Sequence, residues 1–371
     1  MMSMPEYLLT LPRPQPSAGV EFYEAELEAC LNQDSRKQSN YFEYKKQSLR
    51  AAEISYLPVK LDVENVSRCN FACSMCVVSS WPKRRRANDM TLKSFQRLID
   101  DQYGLVEIKL NGLGEPLLQG DDFFEMIKYA RARRIWVRVT TNASLLHLNS
   151  NFKKLVDSDV CEIDISVDGH SKEIFEGIRI GSHFETVKRN IKMLNDYGDY
   201  VGKKRTKMWT LVQKDNFEFL ESHLRLAKEL NFKNVVFSLN LHGWGDADLL
   251  ERNKLVTVDD LMTIERIDSL VKLSKSLEIS LTFWNVNAKF DSRAAETLCP
   301  WPFERAVITS DSKVVPCCMV ADPNAFHFAE KTDNQAASEI WLGDEYKSFR
   351  QSHIDGKIPK ICRGCYKSTD L

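Results

Sequence analysis

From residue 58 onward, short apolar segments rich in β-branched residues alternate with longer segments whose apolar residues recur at helical spacing. This alternation of strands and helices is typical of an α/β fold with a parallel sheet. Right-handed crossovers between six such units curl the sheet into a partial (β/α)6 barrel, whose chemistry lies at the carboxyl ends of the strands. The predicted strands are 58–64, 105–111, 135–141, 160–167, 206–212 and 234–240, and the predicted helices lie near 91–102, 121–133, 148–157, 183–197 and 216–230.

The two ends of the chain follow different patterns. Residues 1–19 contain four prolines and predict a loose arm, and residues 20–55 have the spacing of one or two helices. After a predicted helix near 257–276 and a strand at 278–284, the pattern predicts a β-hairpin at 305–316 and a helix at 338–352. We therefore expect three parts: N-terminal arm and helices (1–57), barrel (58–289) and a small C-terminal domain (290–371).

Composition narrows the class of protein. The chain has 371 residues, of which 43% are hydrophobic, and a net charge of -1, so it lacks the basic character of a general nucleic-acid binder. The sequence contains no run of 18 apolar residues, so no membrane span is predicted. The N-terminus lacks the basic and apolar regions of a signal peptide. We expect a cytoplasmic protein with reduced thiols and with neither a nucleic-acid nor a membrane partner.

Three cysteines, Cys69, Cys73 and Cys76, follow directly on the first predicted strand with the spacing C-x3-C-x2-C. Clustered cysteines in a reducing compartment indicate metal ligands rather than disulfides. Three thiolates are one fewer than a cubane of four irons needs, so the fourth iron stays open to a small molecule. The alternative is zinc, which prefers four ligands and usually takes its cysteines in two pairs.

This motif, its place after the first strand and the repeated β/α units resemble the radical S-adenosylmethionine (SAM) superfamily. The resemblance implies that SAM chelates the open iron of a [4Fe–4S] cluster. It also implies a reductant such as flavodoxin or ferredoxin, and a 5′-deoxyadenosyl radical that abstracts hydrogen from the substrate. By position relative to the family's motifs, the residues implied in SAM binding are Met75, Gly114, Glu115, Asn142, Ser166, Asp168 and Arg179. Leu113 replaces the first glycine of the family's Gly-Gly-Glu element.

A second set of cysteines, Cys299, Cys317, Cys362 and Cys365, supplies four thiolates, enough to ligate a cluster fully. A zinc ion is again the alternative to an iron–sulfur cluster. Cys318 could take the place of Cys317 as the fourth ligand. Beside the first motif, this tail resembles the twitch form of the SPASM domain, which implies one auxiliary [4Fe–4S] cluster. The cysteine spacing is similar to that of the subgroup containing the dehydrogenase of 2-deoxy-scyllo-inosamine.

The remaining polar and cysteine residues of interest allow more than one role. His242 follows the sixth strand and is a candidate acid or base, or else a hydrogen-bonded loop histidine. The basic run Lys83–Arg86 indicates a solvated face or a contact with an anionic substrate. Cys30 and Cys161 lie in apolar patterns and are predicted core residues.

The function that these features favour is net oxidation of an alcohol to a carbonyl on a small polar molecule, such as a sugar, aminocyclitol or sugar nucleotide. In this hypothesis the auxiliary cluster takes the second electron. The alternatives are a radical SAM enzyme that modifies ribosomal peptides, and a redox-neutral sugar epimerase with Cys318 as hydrogen donor. A non-catalytic, zinc-stapled binding protein is an alternative from a different class.

Overall fold

The computed structural model describes residues 11–47, 50–81, 87–239, 241–286, 289–328 and 336–367. Within these ranges nine strands form one sheet in the order β7-β6-β5-β4-β3-β2-β1-β8-β9. All neighbours pair in parallel except β8 and β9, which are antiparallel. The predicted α/β fold with a parallel sheet is therefore confirmed. The strands are β1 (Lys60–Val63), β2 (Glu107–Leu110), β3 (Trp136–Thr141), β4 (Glu162–Ser166), β5 (Thr206–Leu211), β6 (Asn234–Ser238), β7 (Ser280–Trp284), β8 (Arg305–Ile308) and β9 (Val314–Val315).

The helices cover the outer side of the sheet and both ends of the chain. They are α1 (Val20–Gln33), α2 (Ser35–Lys46), α3 (Val77–Ser80), α4 (Leu92–Asp101), α5 (Asp121–Ala132), α6 (Asn151–Asp157), α7 (Lys172–Ile178), α8 (Phe184–Tyr200), α9 (Lys214–Phe217), α10 (Leu220–Glu229), α11 (Ala247–Lys254), α12 (Ile264–Ser276), α13 (Trp301–Glu304), α14 (Ala337–Leu342) and α15 (Asp344–Ile354). None of the described helices is long and apolar enough to cross a membrane.

Two helices differ from the sequence-based prediction for local reasons. The segment predicted as one helix at 338–352 is two helices, because Gly343 is extended (φ -75°, ψ 170°) and separates α14 from α15. The helix predicted from residue 257 begins only at Ile264, where the Thr263 side chain accepts a hydrogen bond from the Arg266 N–H and caps it.

The strands have one apolar and one polar side, because successive side chains of a strand point to opposite faces. Val63, Ile108 and Ile163 lie on the outer face, where they are buried against the helices. The opposite side, which we call the inner face, is lined with charged residues. Those in register across β1 to β5 are Lys60, Asp62, Glu107, Lys109, Arg138, Glu162, Asp164 and Lys207.

Ion pairs connect these inner-face charges. Arg138 lies 2.9 Å from Glu162, 3.4 Å from Asp164 and 3.8 Å from Glu107. Lys207 pairs with Glu162 at 2.8 Å. Charged groups at such depth need close partners, because desolvation disfavours an isolated charge.

Helix α1 covers the amino end of the barrel. The Tyr23 ring packs edge-on to Trp136, the first residue of β3, at a centroid distance of 4.9 Å. Its hydroxyl donates to the Glu107 carboxylate at 3.4 Å, and the Ser17 N–H donates to Glu162 at 3.1 Å. The amino end is thus closed by the first helix, which leaves the carboxyl ends of the strands as the open side.

The C-terminal segment joins the main sheet. The predicted hairpin at 305–316 forms as β8 and β9, but β8 also pairs in parallel with β1, with Lys60 opposite Arg305. Arg350 of α15 is almost fully buried and donates to the carbonyls of Pro302 and Trp341, both at 2.8 Å. The sheet therefore continues from the barrel into the cysteine-rich tail.

Candidate active site and metal centres

The loop after β1 carries the three predicted cluster ligands Cys69, Cys73 and Cys76. It is held by backbone pairing to the segment that follows α7. The N–H groups of Ala72 and Ser74 donate to the carbonyls of Ile180 and Ile178, at 2.8 and 3.0 Å. The loop therefore has a fixed course along the carboxyl end of the sheet, with Arg179 beside it.

The three thiols are chemically suited to a cationic cluster. Burial raises the pKa of Cys69 to about 11 and that of Cys76 to about 12, and the neighbouring thiols raise both pKa values further. Burial also raises the pKa of Cys73, although Arg179 opposes this. The thiolate forms that bind metals are therefore unfavourable here unless positive charge is supplied, and bound iron supplies it.

The spacing of the potential ligands distinguishes two kinds of metal site. Among the described residues, no three His, Cys, Asp or Glu side chains converge closely enough to hold a single metal ion. A single zinc ion requires that convergence. In a cubane each thiolate binds a different iron, so the three thiols of this loop need not converge on one point to hold such a cluster.

Gly114 allows the loop after β2 to lie against the cluster loop. A Cβ atom at Gly114 would lie 2.3 Å from the Val66 carbonyl oxygen and 2.4 Å from that of Arg68. The next residue, Glu115, donates its N–H to the Arg68 carbonyl at 3.0 Å. The glycine is needed because two backbone segments meet there, and Leu113 in place of the family's first glycine does not disturb this contact.

The Glu115 carboxylate links β2 to β3. It accepts from the Thr141 hydroxyl at 2.7 Å and from the Asn142 N–H at 2.8 Å. Burial raises the pKa of Glu115 to about 7, and these hydrogen bonds oppose the shift. Glu115 and Asn142, both predicted to bind SAM, are therefore placed together beside the cluster loop.

We expect Gly114→Ala to displace the cluster loop, because the new methyl group meets backbone atoms that cannot move aside. Overpacking of this kind costs about 1–3 kcal/mol, and we expect a lower melting temperature together with reduced iron content after anaerobic reconstitution. Gly177→Ala is the matched control, because a Cβ there meets nothing within 4 Å and the residue lies in helix α7. Equal iron content in the two variants would refute this role of Gly114.

Arg179 and Asp168 form a buried ion pair beside Cys73. The Arg179 Nη2 atom lies 2.6 Å from Asp168 Oδ2, and its Nη1 atom lies 4.0 Å from the Cys73 sulfur. Asp168 is fully buried and also accepts from the Leu211 N–H at 2.8 Å. Both residues were predicted to bind SAM, and their strongest contact here is with each other.

The remaining residues predicted to bind SAM lie on the same side of the barrel. The Asn142 amide donates to Asn70 at 3.0 Å within the cluster loop. Ser166 ends β4 on the inner face, in register with Trp209. Met75 is buried, and its carbonyl accepts from the Asn253 side chain at 3.2 Å.

Asn253 was not predicted from the sequence. Besides the Met75 carbonyl, its amide group donates to the His242 carbonyl at 2.7 Å, so it joins the cluster loop to the loop after β6. A single asparagine in a helix carries no sequence signal for such a contact. Burial lowers the pKa of His242 to about 4, and the centroid of its ring lies 6.2 Å from that of Trp244.

The basic run Lys83–Arg86 lies outside the described residues.

The four cysteines of the second set influence one another, as expected for one site. Burial raises the pKa of Cys317, and the adjacent thiol of Cys318, followed by those of Cys362, Cys299 and Cys365, raises it further. The Tyr366 hydroxyl accepts from the Cys299 N–H at 2.9 Å, which ties the two ends of the set together. Cys299, Cys362 and Cys365 also pack against the same small apolar cluster around Tyr366, as ligands of one shared auxiliary cluster would.

Cys318 faces a different environment from Cys317. The backbone at Cys317 is extended (φ -167°, ψ 169°), and successive side chains of an extended chain point in opposite directions. Burial raises the pKa of Cys318 to about 12, Asp62 raises it further, and Lys109 and Arg305 oppose the shift. Cys318 therefore lies next to the inner face of the barrel. Cys30 and Cys161 are fully buried, as predicted for core residues.

The inner face is open to solvent towards the carboxyl ends of the strands. Lys109, Thr140, Trp209 and Trp284 are all partly exposed, whereas their neighbours on the outer face are buried. The rings of Trp209 and Trp284 lie 6.2 Å apart. This region, which we call the lumen, is a half-polar and half-aromatic surface that sequence analysis missed. The alternation of charged and apolar residues within each strand was the signal for it.

Comparison with known proteins supports this arrangement. The model of the radical SAM superfamily matches residues 66–204, and that of an iron–sulfur cluster-binding domain, SPASM, matches residues 299–366. The tungsten-containing aldehyde ferredoxin oxidoreductase cofactor-modifying protein of Pyrococcus furiosus is 24% identical over 310 residues, which are 78% of this chain and 82% of that protein. Mycofactocin maturase MftC of Mycolicibacterium smegmatis is 28% identical over 171 residues, which are 46% of this chain and 42% of the maturase.

Among solved structures, Streptococcus suis SuiB has a similar fold. Its SAM-bound structure is 17% identical, covers 84% of this chain and 71% of SuiB, and has a TM-score of 0.64. Its structure with the precursor peptide SuiA is 16% identical, covers 84% of this chain and 69% of SuiB, and has a TM-score of 0.63. At this level of identity the likeness is one of fold.

Proposed function

Since this chain belongs to the radical SAM superfamily and carries a SPASM domain, we propose that it is a radical SAM enzyme that modifies a peptide. The observation that carries the catalytic part of the proposal is the juxtaposition of the Cys69–Cys76 loop, Glu115 and Arg179 at the open end of a solvent-accessible lumen. The family implies a SAM-binding [4Fe–4S] cluster and auxiliary iron–sulfur clusters.

The peptide part of the proposal replaces the sequence-based expectation of a sugar or aminocyclitol substrate. MftC is a maturase, and SuiB has been solved with its precursor peptide. The partly exposed residues along β2, β3, β5 and β7 leave the lumen open, which suits a reacting group that remains attached to a larger molecule. A small-molecule substrate is the alternative, because BtrN, solved in complex with AdoMet and 2-DOIA, also has a similar fold, at 17% identity and the lower TM-score of 0.50.

In this proposal, each group of residues has a distinct task. The Cys69, Cys73 and Cys76 thiolates would hold the first cluster, and Cys299, Cys317, Cys362 and Cys365 would hold one auxiliary cluster. With SAM bound, the first cluster would supply the electron for hydrogen-abstraction chemistry on the substrate. Glu115, Asn142, Ser166 and the Arg179–Asp168 pair fix the surroundings of SAM, and the lumen walls orient the substrate. His242 remains a candidate acid or base.

The proposal includes the compartment, the electron donor and the domain division of the enzyme. No disulfide joins any of the ten cysteines, all of which lie in the described residues; we place the enzyme in the reducing cytoplasm, where flavodoxin or ferredoxin would supply electrons. The division into an N-terminal part (1–57), a barrel (58–289) and an auxiliary-cluster domain (290–371) is part of the same proposal, with the qualification that β8 belongs to the barrel's sheet.

The catalytic part is tested by metal content and SAM cleavage. After anaerobic reconstitution we expect about eight irons per chain, and about four when Cys69, Cys73 and Cys76 are all replaced by alanine. With dithionite, the wild type should convert SAM to 5′-deoxyadenosine and methionine, and the triple variant should not. Cys161→Ala, at a core cysteine, is the control and should retain both properties. Full iron content in the triple variant would refute the assignment of the first cluster.

The substrate class is tested separately. Reduced enzyme and SAM are incubated with a library of synthetic peptides or with a panel of sugars and aminocyclitols, and 5′-deoxyadenosine and product masses are measured. We expect peptides, and not the polyols, to stimulate 5′-deoxyadenosine formation and to change in mass. Stimulation by polyols alone would refute the peptide proposal and restore the small-molecule alternative.

A further inference from the structure

Among the described residues on the inner face of the barrel, the basic side chain of Lys109 lacks a partner. Lys60 pairs with Glu107 at 3.7 Å, and Arg305 pairs with Asp62 at 3.4 Å and with Glu107 at 3.5 Å. Arg138 and Lys207 both pair with Glu162. Lys109 lies in the middle of this set, and among the described residues it has neither an ion pair nor a hydrogen bond. A lysine inside a barrel without a partner requires an explanation.

The position of Lys109 in the sheet accounts for its lack of a partner. Its register neighbours are Asp62 on β1 and Arg138 on β3. Asp62 already pairs with Arg305, and Arg138 is itself a cation. The nearest acidic group is therefore shared and the other neighbour is repulsive, so the lysine contributes no local ion pair to the fold.

Lys109 is also accessible. It is partly exposed, whereas Ile108 and Leu110 on either side of it are fully buried. Lys109 is in register with Asp62 of β1, and Asp62 is in register with Val307 of β8, the strand whose hairpin leads to Cys317 and Cys318. Lys109 thus lines the part of the lumen that lies next to the second cysteine set.

We propose that Lys109 binds a carboxylate of the substrate in the lumen and so determines which peptide group reaches the reacting position. The inference rests on the proposed function in that it takes the substrate to be a peptide. A charge-assisted hydrogen bond from the ammonium to a carboxylate would supply the missing partner. The carboxylate comes either from an aspartate or glutamate side chain or from a peptide C-terminus.

The test uses three small probes that distinguish these two sources. N-acetyl-glutamate N-methylamide carries a side-chain carboxylate, N-acetyl-glutamine carries a C-terminal carboxylate, and N-acetyl-glutamine N-methylamide is neutral. Their affinities for the reconstituted holoenzyme are measured by ligand-observed saturation-transfer NMR, which requires no turnover. We expect at least one acid to bind the wild type about ten-fold more tightly than the neutral probe. The tighter acid identifies the source of the carboxylate.

Substitutions at Lys109 test whether this residue causes the preference for the acidic probes. Lys109→Met should bring the acids to the affinity of the neutral probe, and Lys109→Arg should retain a preference for the acids. Lys109→Met should lower the melting temperature much less than Arg138→Met does, because Asp62, the nearest acidic group, keeps its ion pair with Arg305. Lys128→Met, on the exposed face of α5, is the control and should bind all three probes as the wild type does. Equal binding of acids and neutral probe by the wild type, or a preference that survives in Lys109→Met, would overturn the proposal.

Deuterium transfer places the bound probe. With the preferred acid deuterated at its carbons, reduced enzyme and SAM should yield deuterated 5′-deoxyadenosine. Unlabelled 5′-deoxyadenosine whose rate of formation the probe does not change would show that the probe binds outside the lumen and would overturn the inference. An enzyme that cleaves no SAM would instead refute the proposed function, and the NMR affinities would still decide the role of Lys109.

Discussion

Arg138→Met is expected to destabilise the protein by about 3–5 kcal/mol at neutral pH, as is usual when one partner of a buried ion pair is removed. The guanidinium lies within 4 Å of Glu162, Asp164 and Glu107, and these three carboxylates are almost fully buried. Without Arg138 they are left with fewer cations inside the barrel. Methionine fills a similar volume, so the loss of stability reports the removal of the charge rather than a change in packing.

The pH dependence of this effect follows from Glu107. Burial alone would raise the pKa of Glu107, but Lys60, Arg305 and Arg138 outweigh it and lower the pKa to about 2. Because the folded pKa lies below the unfolded value near 4.5, the ionised group stabilises the fold above that pH. This stability, about 3 kcal/mol, is lost as the pH falls towards 2. We therefore expect the difference between wild type and Arg138→Met to be largest between pH 6 and 8 and to shrink below about pH 4.

Urea unfolding followed by circular dichroism at pH 7, 5 and 3 measures the destabilisation by Arg138→Met and its dependence on pH. Arg36→Met is the control, because Arg36 forms an ion pair with Asp34 in which its side chain is 70% exposed. Exposed pairs contribute little, and we expect no measurable change in that variant. If Arg138→Met unfolds at the same urea concentration as Arg36→Met at pH 7, the inner-face network does not stabilise the fold.

Much of this architecture could be predicted from the sequence because it depends on local pattern. The β/α units and the cysteine spacing are both features of short segments, and the structure places the predicted strands in one parallel sheet. Gly114 and Glu115 were recognised by their resemblance to the family's Gly-Gly-Glu element, and the structure adds the physical reason for the glycine, which is the close approach of two backbone segments.

The long-range pairings could not be predicted in the same way. The contact between β1 and β8 joins residues more than 240 positions apart, and nothing in the segment 305–308 distinguishes a separate hairpin from an extension of the barrel sheet. The side on which Cys318 lies depends on that same pairing. The pairing of Arg179 with Asp168 was missed because each residue was matched separately to a family motif.

The role of Arg179 in binding SAM is decided by a double-mutant cycle with Asp168. Arg179→Met leaves Asp168 fully buried without its cation, and we expect it to destabilise the fold by about 3–5 kcal/mol. Asp168→Asn relieves that penalty, since the asparagine oxygen can still accept from the Leu211 N–H. Stability of single and double variants is measured by urea unfolding, and SAM affinity by calorimetry on the reconstituted proteins.

Two mechanisms predict different results in this cycle. If Arg179 contacts the SAM carboxylate directly, Arg179→Met should weaken SAM binding by roughly 1.5–3 kcal/mol, about 10- to 150-fold, in both the wild-type and the Asp168→Asn background. If Arg179 acts only by holding Asp168 and the cluster loop, the second substitution should add little to the first. We expect the direct contact, because the 4.0 Å distance from Nη1 to the Cys73 sulfur leaves a guanidinium edge facing the predicted cluster, where the open iron would hold SAM. SAM affinity that does not change between Asp168→Asn and the double variant would assign Arg179 a positioning role alone.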